Sequence, residues 1–275
     1  KISNGKWIWW SRGIGGRSAL DYLIKVKGYS FLEAVETIIG HTAIQAPVYE
    51  KPQLKEENKP LLLPEKCASN RVITEYLFGR GIDFEIINYC ISNDLIFESL
   101  PYHNVVFVGY DEKKEPKYAA YRSTNKRRIM GDCSGSKKDY SFRLGKENLE
   151  EVHLFECAID LLSYATLAKL NGQDWKEMSF VSLSGVYSPA KKIEDSRVPI
   201  ALEKYLGSNP SVRKIRIHFD NDIAGRKAAQ TLKIILPDKY EIVDEPPKAG
   251  KDFNDFLCMQ MGIYNKKTHE RNEER

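Results

Sequence analysis

The chain has no cysteine before Cys67 and only one histidine, His41, in that stretch. Tetrahedral zinc sites need four cysteine or histidine ligands, so the amino-terminal segment cannot bind zinc by itself. The five cysteines of the whole chain show no paired spacing, which is typical of a reducing cytoplasm. The sequence also lacks a signal peptide and any hydrophobic run long enough to span a bilayer, so we expect a cytoplasmic protein with no membrane partner.

The composition predicts two domains. The chain has 275 residues, 42% of them hydrophobic, which is enough apolar material for a core in each domain. Residues 41–64 carry four prolines around a Lys/Glu-rich centre and predict an extended linker. Residues 264–275 are mostly polar and predict a frayed tail. The absence of an initiating methionine favours a piece of a longer protein.

The first forty residues predict a small amino-terminal module. Ser30 and Glu33 have the spacing of a capping box, and Gly40 is expected to end the helix that follows. Trp7, Trp9 and the neighbouring aromatics are interpreted as a small hydrophobic core, with base stacking as the alternative.

Strand and helix patterns alternate from residue 152 to residue 263, which predicts βαβ units and a mainly parallel sheet. Ligands of such sheets collect at the carboxyl ends of the strands. Four carboxylates are expected at those ends, namely Glu156, Asp220, Asp222 and Asp252.

The segment Asp220-Asn221-Asp222 allows two interpretations. Two carboxylates at i and i+2 after a strand can share a hard cation such as Mg²⁺. Alternatively, Asp222 caps the next helix and Asp220 only ends the strand.

These residues resemble the Toprim domain, which is shared by bacterial-type DNA primases, topoisomerases and some nucleases. The resemblance consists of a strand-terminal Glu156, an Asp-x-Asp followed by Ala224-Gly225, and the late segment Lys251-Asp252-Phe253-Asn254-Asp255. It implies that Asp220 and Asp222 bind Mg²⁺ or Mn²⁺, that Asp252 completes the metal cluster, and that Glu156 acts as an acid/base or metal-associated carboxylate. Cys157 departs from the glycine that commonly follows this glutamate.

The resemblance extends upstream. Residues 76–82 resemble the opening of a primase catalytic core, and residues 105–111 and 118–122 predict a small antiparallel sheet with its turn at 112–116. Residues 6–16 resemble half of a primase zinc ribbon in which Trp9 and Arg12 replace two cysteines, so no zinc is expected. The whole is similar to compact Toprim primases of plasmids and integrative elements. We therefore expect an α/β fold with a degenerate ribbon-like module (1–40), the linker (41–64), an α+β basic subdomain (65–150), a Toprim domain (151–263) and the tail.

Positive charge is concentrated between Lys117 and Lys146, which carry a net charge of +7 while the remainder of the chain carries −3. A charge run can be a solvated surface, but beside a carboxylate cluster it favours phosphate binding. Gly131 and Gly135 suggest a loop that approaches phosphates. The predicted phosphate-binding residues are Arg122, Lys126, Arg127, Arg128, Lys137, Lys138, Arg143 and Lys251.

The resulting hypothesis is metal-dependent nucleotidyl transfer on single-stranded DNA with nucleoside triphosphates, for primer synthesis in mobile-element replication or transfer. A helicase or a relaxase is a further expected partner. A metal-dependent nuclease and a non-catalytic DNA-binding accessory protein remain as alternatives.

Overall fold

The structure, a computed structural model, describes residues 2–3, 6–12, 14–42, 59–127, 129–185, 187, 189–190, 193 and 196–263. Contacts divide the chain into two compact units, Lys1–Glu57 and Asn58–Arg275. The centre of the predicted linker, the polar tail and Arg128 lie outside the described residues.

The first unit contains an antiparallel sheet followed by two helices. Its strands are β1 (Ile2–Ser3), β2 (Lys6–Trp9) and β3 (Ile14–Gly16), and its helices are α1 (Ala19–Lys27) and α2 (Phe31–Thr42). The predicted capping box is confirmed, because the Ser30 amide donates to the Glu33 carboxylate at 2.8 Å and the Glu33 amide donates to Ser30 Oγ at 3.3 Å. The expected end at Gly40 is wrong by two residues. A glycine costs a helix only about 1 kcal/mol, so α2 continues to Thr42.

Aromatic side chains of this unit contact one another but remain partly exposed. Trp7 packs edge-to-face on Tyr22, with ring centres 5.3 Å apart. The Arg12 guanidinium lies over the Trp9 ring at 4.3 Å. The two positions where the ribbon-like segment lacks cysteines are therefore joined by a cation–π contact.

The second unit begins with two helices and an antiparallel sheet. The elements are α3 (Arg71–Phe78), α4 (Phe84–Ser92), β4 (Ile96–Glu98), β5 (Val105–Tyr110), β6 (Pro116–Arg122) and β7 (Met130–Asp132), and the strands pair in chain order. The predicted β5–β6 hairpin is confirmed. Asp111 closes its turn, because its side chain accepts the amides of Lys113 and Glu115, each at 2.9 Å.

A five-stranded sheet follows in the order β12-β11-β9-β10-β8. Its elements are β8 (Arg143–Gly145), β9 (Glu151–Phe155), α5 (Ala158–Leu170), β10 (Ser179–Ser182), α6 (Ile200–Ser208), β11 (Lys214–Ile217), α7 (Ile223–Ile235), β12 (Glu241–Asp244) and α8 (Phe253–Gln260). All neighbouring pairs are parallel except β8 with β10. The prediction of a mainly parallel α/β sheet is confirmed, with β8 as an antiparallel edge strand contributed by the preceding segment. In the described part of the chain, no helix has the length and apolarity needed to cross a membrane.

Both faces of this sheet are buried. One face, with Val152, Ile215 and Ile217, packs on α6 and α7. The other, with Phe155 and Phe180, packs on α5 and α8 in a core that also includes Ile73 of α3 and Ile86 of α4. The antiparallel subdomain and the parallel sheet therefore share one hydrophobic core.

The last residues of the predicted linker are packed, which corrects the expectation of an extended connector up to Pro64. The Leu62 amide donates to the Ser134 carbonyl at 2.9 Å, and Leu61 packs on a small core formed by β4, β5 and β6. Gly135 has a φ of +80°, and a Cβ there would overlap the Pro60 carbonyl. The loop at Gly135 therefore contacts residues 59–62 closely.

Because the second unit is compact by itself, we expect a chain of residues 58–275 to unfold in one cooperative transition. A chain starting at Pro64 loses the Leu61 contact and the Leu62 hydrogen bond, and it should be less stable by about 2 kcal/mol. Urea unfolding followed by circular dichroism measures both. Equal stability of the two chains would show that residues 58–63 contribute nothing to the fold.

Candidate functional site

Two carboxylates meet at the carboxyl edge of the parallel sheet because β9 and β11 are neighbours in register. Glu156 follows β9 directly, and Asp220 lies three residues after β11. The Asp220 amide donates to Glu156 Oε1 at 3.1 Å. The sequence expectation that these strand ends come together is therefore met by a direct hydrogen bond.

Gly225, in the first turn of α7, lets this helix approach the strand ends closely. A Cβ at this position would overlap the Asp220 carbonyl oxygen and would lie 2.9 Å from Glu156 Oε1. A side chain on residue 225 would therefore push α7 away from both carboxylates.

Asp222 caps the next helix, and its second carboxylate oxygen remains available for a cation. Its Oδ1 accepts the Gly225 amide at 2.9 Å and caps α7. Its Oδ2 lies 3.3 Å from Lys251 Nζ, which is also 3.0 Å from Asp220 Oδ2. The capping bond holds the carboxylate in place and leaves its second oxygen directed at a cation.

The loop before α8 brings Lys251 and Asp252 to the same edge. The Asn221 amide donates to the Lys251 carbonyl at 2.7 Å, which joins the two acidic loops. Asp252 caps α8, because its Oδ1 accepts the Asp255 amide at 2.7 Å. The four predicted site residues therefore lie on adjoining segments of one edge.

Asp160 is a buried carboxylate of the site that the sequence analysis missed. It is 6% exposed, and its Oδ1 accepts the Asn254 amide at 3.2 Å. Burial raises the pKa of Asp160, and the nearby Asp252 and Asp220 charges raise it further. The sequence signal for Asp160 was an acidic residue four positions after Glu156, in the first turn of a mostly apolar helix.

The carboxylates of the edge differ in their readiness to ionise. Burial, reinforced by the Asp220 charge, raises the pKa of Glu156 to about 7. Burial also raises the pKa of Asp220. The Gly225 amide lowers the pKa of Asp222, and hydrogen bonding to Asp220 raises the pKa of Lys251. The acidic edge thus carries more negative than positive charge, because the Lys251 ammonium alone compensates the Asp220 and Asp222 carboxylates.

The donor set fits a hard divalent cation. The Lys251 ammonium lies near both Asp220 and Asp222 and marks a position where a metal ion could bind. The carboxylate oxygens of these residues are ligands of the kind that Mg²⁺ and Mn²⁺ prefer. Among the described residues, no three of the edge carboxylates each place an oxygen within 4.8 Å of the others. Two carboxylates are enough for Mg²⁺, which usually binds one or two and keeps several waters.

The basic run divides into two groups. Several members are compensated by acids close in the fold. They are Lys117 with Asp111 and Glu115, Lys138 with Asp132, Arg143 with Glu147, and Lys146 with Glu177. Arg122, Lys126 and Arg127 form no ion pair with an acidic side chain among the described residues.

Arg122 is the last residue of β6 and lies near Cys157. Burial raises the pKa of the Cys157 thiol, which adjoins Glu156, and the nearby Arg122 guanidinium opposes that rise. Lys126 and Arg127 follow in the exposed β6–β7 turn. The cations of the run without an acidic partner therefore lie together at the β6–β7 hairpin.

Comparison with known families matches two segments of the chain. Residues 75–148 match a family described as a protein of unknown function (DUF3991), and residues 153–257 match the Toprim-like family. A comparison with curated proteins found no significant match.

Solved primase structures are similar to the chain at low identity. The primase fragment of the bacteriophage T7 primase-helicase protein is 19% identical over 68% of this chain and 69% of its own, with a TM-score of 0.47. The Aquifex aeolicus primase, with its zinc-binding and RNA polymerase domains, is 14% identical over 94% of this chain and 71% of its own, with a TM-score of 0.42. The E. coli primase catalytic core is 12% identical over 74% of this chain and 72% of its own, with a TM-score of 0.45.

The family match coincides with the parallel sheet and its acidic edge. It begins in β9, three residues before Glu156, and ends in α8, after Asp252. Residues 153–257 thus form a Toprim-like domain of the α/β class, preceded in the second unit by an antiparallel subdomain.

Proposed function

We propose that this protein catalyses metal-dependent nucleotidyl transfer on single-stranded DNA, joining nucleoside triphosphates into a primer. The observation that carries the proposal is the pairing of Asp220 and Asp222 around one cation, beside the Glu156 carboxyl, at the edge of a Toprim-like domain. Such an edge collects the charges that phosphoryl transfer requires.

In this proposal Asp220 and Asp222, with Asp252 beside them, hold Mg²⁺ or Mn²⁺. The bound metal supplies neutralisation of triphosphate charge. Glu156 would accept the proton of the attacking 3′-hydroxyl, whose oxygen bonds to the α-phosphorus of the triphosphate as pyrophosphate leaves; a carboxyl whose pKa is about 7 suits this role. The Lys251 ammonium, which lies beside Asp220 and Asp222, would be available to contact a phosphate oxygen if a metal compensated these aspartates.

The proposal extends to the setting of the reaction. The compact antiparallel subdomain favours a primase of a plasmid or integrative element, acting in replication or transfer with a helicase or relaxase as partner. The uncompensated Arg122, Lys126 and Arg127 would contact the template backbone.

A metal-dependent nuclease is the second candidate, because the same carboxylates can activate water in place of a 3′-hydroxyl. A DNA-binding accessory protein is the third, and there the carboxylates would hold a metal without chemistry.

We expect the protein to make short labelled oligomers when it is incubated with single-stranded template, labelled ribonucleotides and Mg²⁺ or Mn²⁺. Asp222→Asn should reduce product by at least about 100-fold through loss of a charged ligand. Asparagine retains the helix cap, so the fold should survive. Asp174→Asn is the matched control, because Asp174 caps the short helix before β10 at the opposite edge of the sheet.

Labelled DNA incubated in parallel separates the alternatives. Shortened DNA without new oligomers would replace the primase proposal by the nuclease. A gel shift with neither product would leave the accessory role. Equal activity in Asp222→Asn and Asp174→Asn would place the chemistry elsewhere in the chain.

The raised pKa of Glu156 predicts an unusual pH dependence of stability. Its ordinary pKa is 4.5 and its folded pKa is about 7, so between these values the folded state binds more protons. Stability therefore falls as pH rises through this window and stays reduced above it. In metal-free buffer at pH ~8, Glu156→Gln should be more stable than the wild type by about 1 to 3 kcal/mol.

At pH ~4.5 the two proteins should be nearly equal in free energy of unfolding, since Glu156 is then protonated in the folded state. Urea unfolding at both pH values measures the difference, with Glu203→Gln on the exposed surface of α6 as the control. A Glu156→Gln variant that is less stable at the higher pH would show that the carboxylate is not destabilised by its surroundings.

The division of the basic run gives a contrast in DNA binding. The double variant Lys126→Ala, Arg127→Ala should weaken binding to single-stranded DNA and lower the log–log salt slope by about 1.4, since each contact contributes about 0.7. The double variant Lys117→Ala, Lys146→Ala removes cations that already have acidic partners and should change the slope much less. Fluorescence anisotropy of a labelled oligonucleotide measures both. An equal effect of the two pairs would assign binding to net charge alone.

A further inference from the structure

A second group of ligand-type side chains lies in the antiparallel subdomain. Cys67 Sγ, a carboxylate oxygen of Glu98 and a ring nitrogen of His103 all lie within 4.8 Å of one another. In the described part of the chain, this is the one group of three cysteine, histidine or acidic residues that converges so closely. Glu98 and His103 are only five positions apart, whereas Cys67 lies 31 positions before Glu98 and is brought to them by the fold.

Backbone hydrogen bonds hold the three segments in place. The Cys67 amide donates to the Glu98 carbonyl at 2.8 Å, and the Leu100 amide donates to the Glu65 carbonyl at 2.8 Å. The Ser99 amide donates to the Asn104 carbonyl at 3.0 Å, which closes the loop that carries His103. The positions of the ligand-type side chains are therefore determined by main chain rather than by flexible side chains.

Glu98 is the fixed centre of the group. It is 2% exposed, and one carboxylate oxygen, Oε2, accepts the amides of Val72 and Ile73 at 2.8 and 3.2 Å, at the start of α3. The other oxygen, Oε1, lies 2.6 Å from His103 Nδ1. Two backbone donors thus hold the carboxylate in an orientation that leaves Oε1 directed at the other members of the group.

His103 places its ring beside Glu98 at a conformational cost. Its φ is +51°, in the left-handed region that non-glycine residues rarely adopt. Its side chain is 45% exposed, so the group is buried on the Glu98 side and open to solvent on the other. An open side of this kind leaves room for a water molecule as a fourth ligand.

We propose that Cys67, Glu98 and His103 form a site for a divalent transition metal, with Zn²⁺ as the ion that fits best. Cysteine sulfur, histidine nitrogen and carboxylate oxygen are all zinc ligands, and open zinc sites have three protein ligands with water in the fourth position. Ligands of a tetrahedral zinc lie about 3.3 to 3.8 Å apart, so the Glu98–His103 pair at 2.6 Å would separate slightly around the ion, while the Cys67 sulfur lies within 4.8 Å of both. The metal would replace the hydrogen bond between Glu98 and His103.

This site is separate from the carboxylate edge and does not depend on the proposed function. It also departs from the sequence expectation of no zinc, which rested on the ribbon-like segment before Cys67. The Thr124 hydroxyl donates to the His103 carbonyl at 3.0 Å, so the site adjoins the β6–β7 hairpin that carries Lys126 and Arg127. A bound ion would tie the start of the second unit to this basic hairpin.

Cobalt titration of the full chain in excess Mg²⁺ tests the site, because a thiolate ligand gives Co²⁺ a near-ultraviolet charge-transfer band. We expect the band to saturate at about one equivalent per chain and to be displaced by Zn²⁺. Cys67→Ser should abolish the band, and His103→Ala should weaken Co²⁺ binding by at least about tenfold. Two controls are Cys157→Ser, beside the carboxylate edge, and Cys133→Ser, the other partly exposed thiol of the subdomain. Both should retain the band.

Thermal unfolding supplies a second readout. Zn²⁺ should raise the melting temperature of the wild type and of Cys133→Ser but not of Cys67→Ser. The absence of a band in the wild type, or a band that survives Cys67→Ser, would overturn the proposal. A band lost only in Cys157→Ser would move thiolate ligation to the carboxylate edge and would overturn it equally.

Discussion

The candidate site depends on the hydrogen bond from the Asp220 amide to the Glu156 carboxylate. This bond can form only because β9 and β11 are parallel neighbours, which brings their carboxyl ends to one edge. It also requires Gly225, since any side chain there would separate α7 from the strand ends. The strand order and Gly225 thus set the geometry of the acidic edge. Asp222 and Asp252 add two further carboxylates there, and both also stabilise the fold because they cap α7 and α8.

The charges of the edge are held in an unbalanced state. Glu156, Asp160 and Asp220 are all harder to ionise than an ordinary carboxyl because they are buried near one another. The Lys251 ammonium relieves part of this repulsion. A divalent cation would reduce the repulsion between these carboxylates further, so binding of the cation should stabilise the folded protein.

The antiparallel subdomain is part of the same structural unit as the edge. Its helices α3 and α4 share a hydrophobic core with α5 and α8, and the Asn254 side chain donates to the Arg80 carbonyl at 2.9 Å. Asn254 also carries the amide that Asp160 accepts. The position of the acidic edge is therefore coupled through α8 to the subdomain that carries the uncompensated cations and the Cys67 group.

The sequence by itself determined the features that depend on local pattern. Alternating apolar runs identified the strands, so it placed Glu156 and Asp220 at strand ends, and the Ser30–Glu33 spacing identified a helix start. Features that depend on long-range contacts were decided only by the tertiary structure. Asp160 lies in a mostly apolar helix, so its sequence context did not indicate a site residue. Lys117 and Lys138 are part of a basic run in the sequence, but in the structure each forms an ion pair with an acidic residue. Cys67 and His103 are 36 positions apart in the chain, and no local pattern joins them. Periodicity reports which face of an element is buried, whereas the partner of a charged or metal-binding side chain is set by which segments the completed fold brings together.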